Sequence, residues 1–350
     1  MNATTTSAHA SAALLREVAT ADRAGTKAAE RLAEVHAFLA EDMAVVDAEL
    51  GRLAKDGVHP ATEAASHLLE AGGKRVRPMT VLLSAACFGA VPPGARDLAV
   101  VAELVHLATL LHDDVIDDGQ ERRGRTTPRR VWGNAVSVLA GDLLLTHALE
   151  RTAVAGPPSV LGDLVATLRR LVDGEVVQLR GRTRLDLREE IYFRVVGDKT
   201  ASLFAWAARA GAAIAGGSAD AVAALGQFGA RVGVAFQLVD DVLDYEGDAR
   251  ATGKSLFGDL LEGKLTLPLL RAIAREPALA VEVEAVREAE DAEAAERLAA
   301  AVRASGACDG VRALAREETA QALALLEAVP AGPPRDLLAA IARGLAARAA

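Results

Sequence analysis

Cysteine, aromatic residues and surplus positive charge are all scarce in this chain. Its 350 residues include two cysteines, Cys87 and Cys308, and no CxxC pair. No disulfide framework is therefore available, which suits a reducing cytosol, so a cytoplasmic location is expected. Phe, Trp and Tyr together make up 3% of the residues while Ala and Leu dominate, a balance that favours helices over strands. The net charge of −9 leaves no basic footprint for nucleic acid. An anionic ligand must then be held by a local cationic cluster or a metal rather than by the overall field. No run of about 18 uncharged apolar residues occurs, and Arg209 interrupts the most apolar stretch, 201–217, so no integral membrane segment is expected. Residues 1–25 lack a basic start and a continuous apolar core and do not read as a signal peptide.

Hydrophobic residues, by contrast, make up 51% of the chain, enough for a sizeable core. Leu32, Val35, Leu39, Met43, Val46, Leu50 and Leu53 recur at three- and four-residue steps, the period of an amphipathic helix. Pro60 and Pro78 stand where helices can begin. Further helices fit 96–118, 131–155, 159–180, 187–196, 199–216, 219–246, 260–275, 279–304, 310–328 and 334–348, several of them separated by Gly and Pro. No 20–50-residue repeat and no Pro/Ser-rich linker divides the chain. The expectation is an all-α, single-domain helical bundle over 29–350, preceded by an Ala/Thr-rich extension over 1–28.

Two acidic clusters of the same form interrupt apolar helical stretches. One is Asp113-Asp114-Val115-Ile116-Asp117 and the other Asp240-Asp241-Val242-Leu243-Asp244. Helical spacing aligns His106, Thr109, Asp113 and Asp117 on one helix, and Gln237, Asp240, Asp241 and Asp244 on the other. Burying the apolar surround brings these carboxylates around a cavity, where uncompensated they would repel. Mg²⁺ takes oxygen ligands, one or two carboxylates plus substrate phosphates, and two facing DDxxD clusters meet that need. One such cluster alone is as readily an exposed acidic patch; two in apolar surroundings are much less so.

Cations accompany the acids. Gly72-Gly73-Lys74-Arg75-Val76-Arg77-Pro78 is a loop whose glycines allow close backbone approach and whose arginines offer phosphate forks. Standing alone it would be a solvated basic turn. Arg122-Arg123-Gly124 follows the first acidic cluster, where it also serves to balance charge. Lys199-Thr200 opens an apolar helix, where the helix dipole favours anions. The segment 247–255, GDARATGKS, imitates a phosphate-binding Walker loop. However, five residues separate Gly247 from Gly253 where four are needed, and a helix precedes it rather than a strand. Lys254 and Lys264 remain as cations for a phosphate, or as ordinary surface lysines.

In order along the chain, GGKRVRP, LLHDDVIDDGQERRG, GNAVSVLAGD, GDKTA, FQLVDDVLD and GKSLFGDLLEGKLTLP resemble the motifs of the trans-polyprenyl diphosphate synthases, the enzymes of isoprenyl chain elongation. The resemblance runs from about residue 35 to residue 345. It implies an all-helical, Mg²⁺-dependent prenyltransferase, a homodimer with a central cavity and three Mg²⁺ per active site. Isopentenyl diphosphate would be condensed with an allylic diphosphate, farnesyl or geranyl. The product would be an all-trans chain of about octaprenyl length, for isoprenoid or quinone side-chain synthesis. By that likeness the catalytic set is Asp113, Asp114, Asp117, Lys199, Asp240, Asp241 and Asp244, with Asp113, Asp117 and Asp240 binding metal. Arg122, Lys199, Thr200, Gln237 and Lys254 would contact the allylic substrate, and Lys74, Arg77, His106 and Arg123 isopentenyl diphosphate.

In such enzymes bulky residues four or five positions before the first aspartate shorten the product. Here Thr109 and Ala108 hold those positions, with Ala148 and Thr152 on the neighbouring helix, all small, which points to a deep tunnel. Three other readings compete. A class I terpene cyclase usually carries an Asn/Asp-Ser/Thr-Glu second metal motif in place of the second DDxxD. A non-catalytic subunit typically loses site residues that this chain keeps. Glu103 and His106 form one Glu-x-x-His element, but a di-iron bundle needs a second.

Overall fold

The computed structural model describes residues 33–183, 185–246, 259, 263–289 and 292–347; Lys254 and the proposed extension 1–28 lie outside the described residues. Helix dominates, as expected. In chain order come α1 (Ala40–Leu53), α2 (Ala61–Glu70), α3 (Val76–Ala86) and α4 (Pro93–Ile116). A short ribbon, β1 (Glu121–Arg122) and β2 (Arg125–Thr126), leads to α5 (Pro128–Trp132), α6 (Asn134–Ala155) and α7 (Pro158–Thr183). Then follow α8 (Glu189–Val195), a π turn (Val196–Ala201), α9 (Ser202–Ile214) and α10 (Ala219–Glu246). The last are α11 (Leu267–Arg275), α12 (Leu279–Ala289), α13 (Ala292–Ala304), α14 (Ala307–Leu325) and α15 (Pro333–Ala346).

The apolar period of α1 does what the sequence implies: Met43, Val46, Leu50 and Leu53 all face the core. Two buried clusters form, and α10 belongs to both. Its Leu225, Phe228 and Val232 join the cluster built on α1 to α4, α6 and α9. Its Leu238, Val239, Val242 and Tyr245 join the one built on α8, α11, α13 and α14. Each such side chain, once fully buried, contributes about 1.5–3 kcal/mol. By length and composition α10 could cross a membrane, yet most of its apolar window is buried inside the protein. It packs on α9 and α14, so it is a core helix. The packing on α9 is backbone-close: a Cβ at Gly229 would run into the carbonyl of Phe204.

Several expected boundaries move. The helix expected over 131–155 is broken at Gly133, whose φ of 87° suits glycine. The helix expected over 279–304 is described as two helices, α12 and α13. The helix expected from 260 begins at Leu267, with Pro268 in its first turn. Lys199 and Thr200 do not open a free helix N-terminus. They lie in the π turn that joins α8 to α9 without a break, so the dipole argument made for them fails. The ribbon was not anticipated either. Arg123 and Gly124, with φ of 53° and 71°, form its two-residue loop between the paired Arg122 and Arg125.

Candidate active site

The C-terminal end of α4 carries Asp113 and Asp114, and Asp117 caps it, its amide bonded to the Asp113 carbonyl at 2.8 Å. Asp240, Asp241 and Asp244 occupy the last turns of α10. Lys264 links the two sides: its Nζ lies 3.5 Å from Asp117 and 3.3 Å from Asp259, and the Asp259 charge acts in turn on Asp241. On the other flank Lys199 Nζ lies 3.5 Å from Asp113 and pairs with Glu175 of α7. The π turn, with its wider pitch, is what sets Lys199 and Thr200 in this position, and such turns recur at functional sites.

The aspartates divide by what they touch. Burial pushes Asp113 up to about 6 against the pull of Lys199, with Glu175 and Asp117 adding to the rise. Asp114 is buried, and its Oδ1 accepts from Arg122 Nε at 2.8 Å and Nη2 at 2.7 Å. It therefore holds Arg122 in place. Asp241 is buried as well and is pushed up to about 7, first by burial and then by Asp259. Tyr192 Oη donates to its Oδ2 at 2.6 Å and Gln237 Nε2 to its Oδ1 at 2.8 Å. Thr200 Oγ1 donates to Gln237 Oε1 at 2.9 Å. One chain of hydrogen bonds thus ties the π turn to the second acidic cluster.

A second set of cations gathers at the loop before α3. Burial and then the charges of Arg77, Arg123, Arg122 and Arg75 hold His106 well below its usual range, which places all four guanidiniums around a neutral imidazole. Arg77 stacks on Phe204, 4.6 Å from the ring centroid. Its Nε is buried without a hydrogen-bond partner, and burial brings its pKa down to about 10. Arg75 donates to the buried Glu103 at 2.5 Å and to Asp47 at 3.3 Å. It sits at a left-handed φ of 50° that a non-glycine residue adopts at a cost of roughly 1–2 kcal/mol. A Cβ on Gly73 would come within 3.0 Å of Arg123 Nη1, so this glycine lets the hairpin arginine close over the loop. Lys74 belongs to the same loop.

Of the residues named from the sequence, the structure brings Asp113, Asp117, Lys199, Thr200, Gln237, Arg77, His106, Arg122 and Arg123 into one region. The sequence did not point to Glu175, Tyr192 or Asp259, which work through burial and pairing rather than through a motif, and Arg75, a phosphate fork by its loop, is instead paired with Glu103 and Asp47. Glu103, in sequence half of a Glu-x-x-His element, is in the structure the counter-ion of the loop.

Among the described residues no three His, Cys, Asp or Glu side chains are gathered tightly enough to hold a metal by themselves. The donors are nonetheless all carboxylate oxygens, the ligands that Mg²⁺ takes. Ammonium groups stand at Asp113 and Asp117, where positive charge is required, so the residues fit a metal completed by ligand oxygens.

Residues 59–304 match the polyprenyl synthetase family model. The chain is similar to heptaprenyl diphosphate synthase component 2 of Geobacillus stearothermophilus, at 39% identity over 88% of this chain and 96% of that protein. It is similar to octaprenyl diphosphate synthase of Escherichia coli, at 36% identity over 89% of this chain and 97% of that one. Among solved structures, a polyprenyl synthase from Caulobacter crescentus, complexed with calcium and isoprenyl diphosphate, superposes with a TM-score of 0.87 at 37% identity, covering 91% of this chain and 98% of that one.

Proposed function

Because this chain belongs to the polyprenyl synthetase family, we propose that it condenses isopentenyl diphosphate with an allylic prenyl diphosphate, farnesyl or geranyl, to a long all-trans polyprenyl diphosphate of about octaprenyl length. The observation that carries this reading is the pairing of two anion sites. Acidic clusters with lysines lie at the ends of α4 and α10, and an arginine cluster lies at the loop before α3. Each is suited to one diphosphate.

The family uses divalent metal, which we take to be Mg²⁺, three per site, held by Asp113, Asp117 and Asp240. Bound metal supplies neutralising positive charge at the departing diphosphate. Lys199, Thr200, Gln237 and Arg122 orient that diphosphate, and Lys199 exchanges Glu175 and Asp113 for its oxygens. Lys254 remains part of the proposal from the motif alone. On the other side Lys74, Arg77, Arg123 and neutral His106 fix isopentenyl diphosphate so that its double bond faces the allylic carbon. The allylic carbon–oxygen bond breaks first, its electron pair leaving with the diphosphate, and the double bond of isopentenyl diphosphate then attacks the allylic cation. A proton then leaves the condensed chain, and the released diphosphate accepts it. Asp114, Asp241 and Asp244 support this geometry, Asp114 through Arg122 and Asp241 through Tyr192 and Gln237.

Ala108, Ala148 and Thr152 are fully buried, and Thr109 turns its hydroxyl back to the His106 carbonyl at 2.8 Å. Small side chains there leave room for a long tail. Ala108→Phe is expected to move the product, sized by chromatography of the extracted chain, to a shorter length. An unchanged distribution would count against the tunnel.

The homodimer rests on the family and on an exposed apolar face. Val165, Val172, Val176 and Leu179 of α7 are 53%, 63%, 42% and 36% exposed at helical spacing, and Leu139 of the preceding α6 is 60% exposed. Sedimentation equilibrium should give twice the chain mass, and a monomer would refute the pairing. The cytoplasmic assignment rests on two buried, unpaired thiols, Cys87 and Cys308. The division into 1–28 and a synthase domain from 29 onward rests on composition.

A further inference from the structure

Behind α10, on the side away from the acidic clusters, a cavity of about 330 Å³ opens between α10, α14 and α15. Val239 and Leu323 line its apolar part, and Arg312, Arg316 and Arg343 supply its charge. Thr319 adds no free donor, since its hydroxyl returns to the Ala315 carbonyl at 2.8 Å. The volume falls at the small end of the range of ligand sites, roughly 300–1,000 Å³.

Arg312 is partly buried and pairs with Glu246 and Asp309, whereas the exposed Arg316 and Arg343 at the rim make no side-chain ion pair or hydrogen bond among the described residues. Arg312 and Arg316 are four apart on α14, a spacing at which like charges repel. In a chain of net charge −9, carboxylates to neutralise such a group are plentiful, yet among the described residues none pairs with Arg316 or Arg343. A dianionic head shared among the three relieves the repulsion and uses their planar forks. An apolar segment attached to it covers Val239 and Leu323.

We propose that this cavity is a second ligand site, for a short hydrocarbon bearing a phosphate or diphosphate head. Its occupant rests on Val239, the residue immediately before Asp240, so binding is felt on the helix that carries the second acidic cluster. The site needs no metal and shares no residue with the condensation machinery.

Isothermal titration of the full-length protein with octyl phosphate and, separately, inorganic phosphate tests it. Octyl phosphate should bind saturably and more tightly than inorganic phosphate. The double variant Arg316→Ala/Arg343→Ala should bind octyl phosphate at least roughly tenfold more weakly with its condensation rate unchanged. Leu323→Trp, which fills the apolar part, should lose the advantage of octyl phosphate while still binding inorganic phosphate. Equal affinity in the wild type and the double variant would place the amphiphile in the catalytic centre and overturn the proposal. So would the absence of saturable binding, or inorganic phosphate binding as tightly as octyl phosphate.

Discussion

Asp113→Ala is expected to lower the condensation rate by roughly a thousandfold, the scale of removing a group that stabilises departing charge in a desolvated site. The variant should stay folded. Asp113 lies at the end of α4 with its side chain 20% exposed, and Lys199 keeps Glu175 as a partner when the aspartate is gone. The metal-free variant should even be the more stable one above pH 6. Burial raises the folded-state pKa of Asp113 to about 6, above that of the unfolded chain. Its contribution to stability is therefore present at low pH and lost as pH rises through that value. Melting curves of Asp113→Asn and wild type, both in EDTA, should diverge as pH rises from about 4 to about 6 and keep a constant separation above that, with the variant melting higher. A variant that is inactive and also melts well below the wild type at pH 8 would mean that Asp113 is structural.

Arg77→Met is the second large effect: the KM for isopentenyl diphosphate should rise roughly a hundredfold, the loss of about two charge-assisted hydrogen bonds. The KM for the allylic diphosphate should stay within a few fold. The basis is an arginine brought to about 10 by burial, with a buried Nε lacking a hydrogen-bond partner and its plane fixed on Phe204. Such a cation is under-compensated in the empty site and gains most when an anion arrives. Arg77→Lys should not restore binding, because an ammonium has neither the fork nor the stacking plane. Equal increases in both KM values would move Arg77 out of the isopentenyl site.

What could be read without coordinates was what local spacing determines. The DDxxD clusters declare themselves because carboxylates at three- and four-residue steps share a helix face, and the GGKRVRP loop because glycine and arginine together suit a phosphate. What could not be read depends on partners far along the chain. Tyr192 holds Asp241 across 49 positions, and Arg75 meets Glu103 across 28. Neither pairing has a local pattern, and burial, which gives both their weight, is a property of the fold. The π turn was hidden for a related reason. Residues 196–201, VGDKTA, include the weak helix formers Val196, Gly197, Asp198 and Thr200, which mark a weak point but not its form; packing of α8 and α9 against α7 and α10 accompanies the extra residue accommodated there. Likewise Arg122-Arg123-Gly124 read as charge next to the aspartates. The hairpin sends Arg122 to Asp114 and Arg123 to the loop at Gly73.

The most direct test is to incubate the purified protein with labelled isopentenyl diphosphate, farnesyl diphosphate and Mg²⁺, and to size the extracted chain. A long polyprenyl product near the octaprenyl range, absent in EDTA and in Asp113→Ala, is the expected result. No incorporation with farnesyl, geranyl or any other allylic starter would contradict the assignment of this chain as a self-sufficient elongation enzyme.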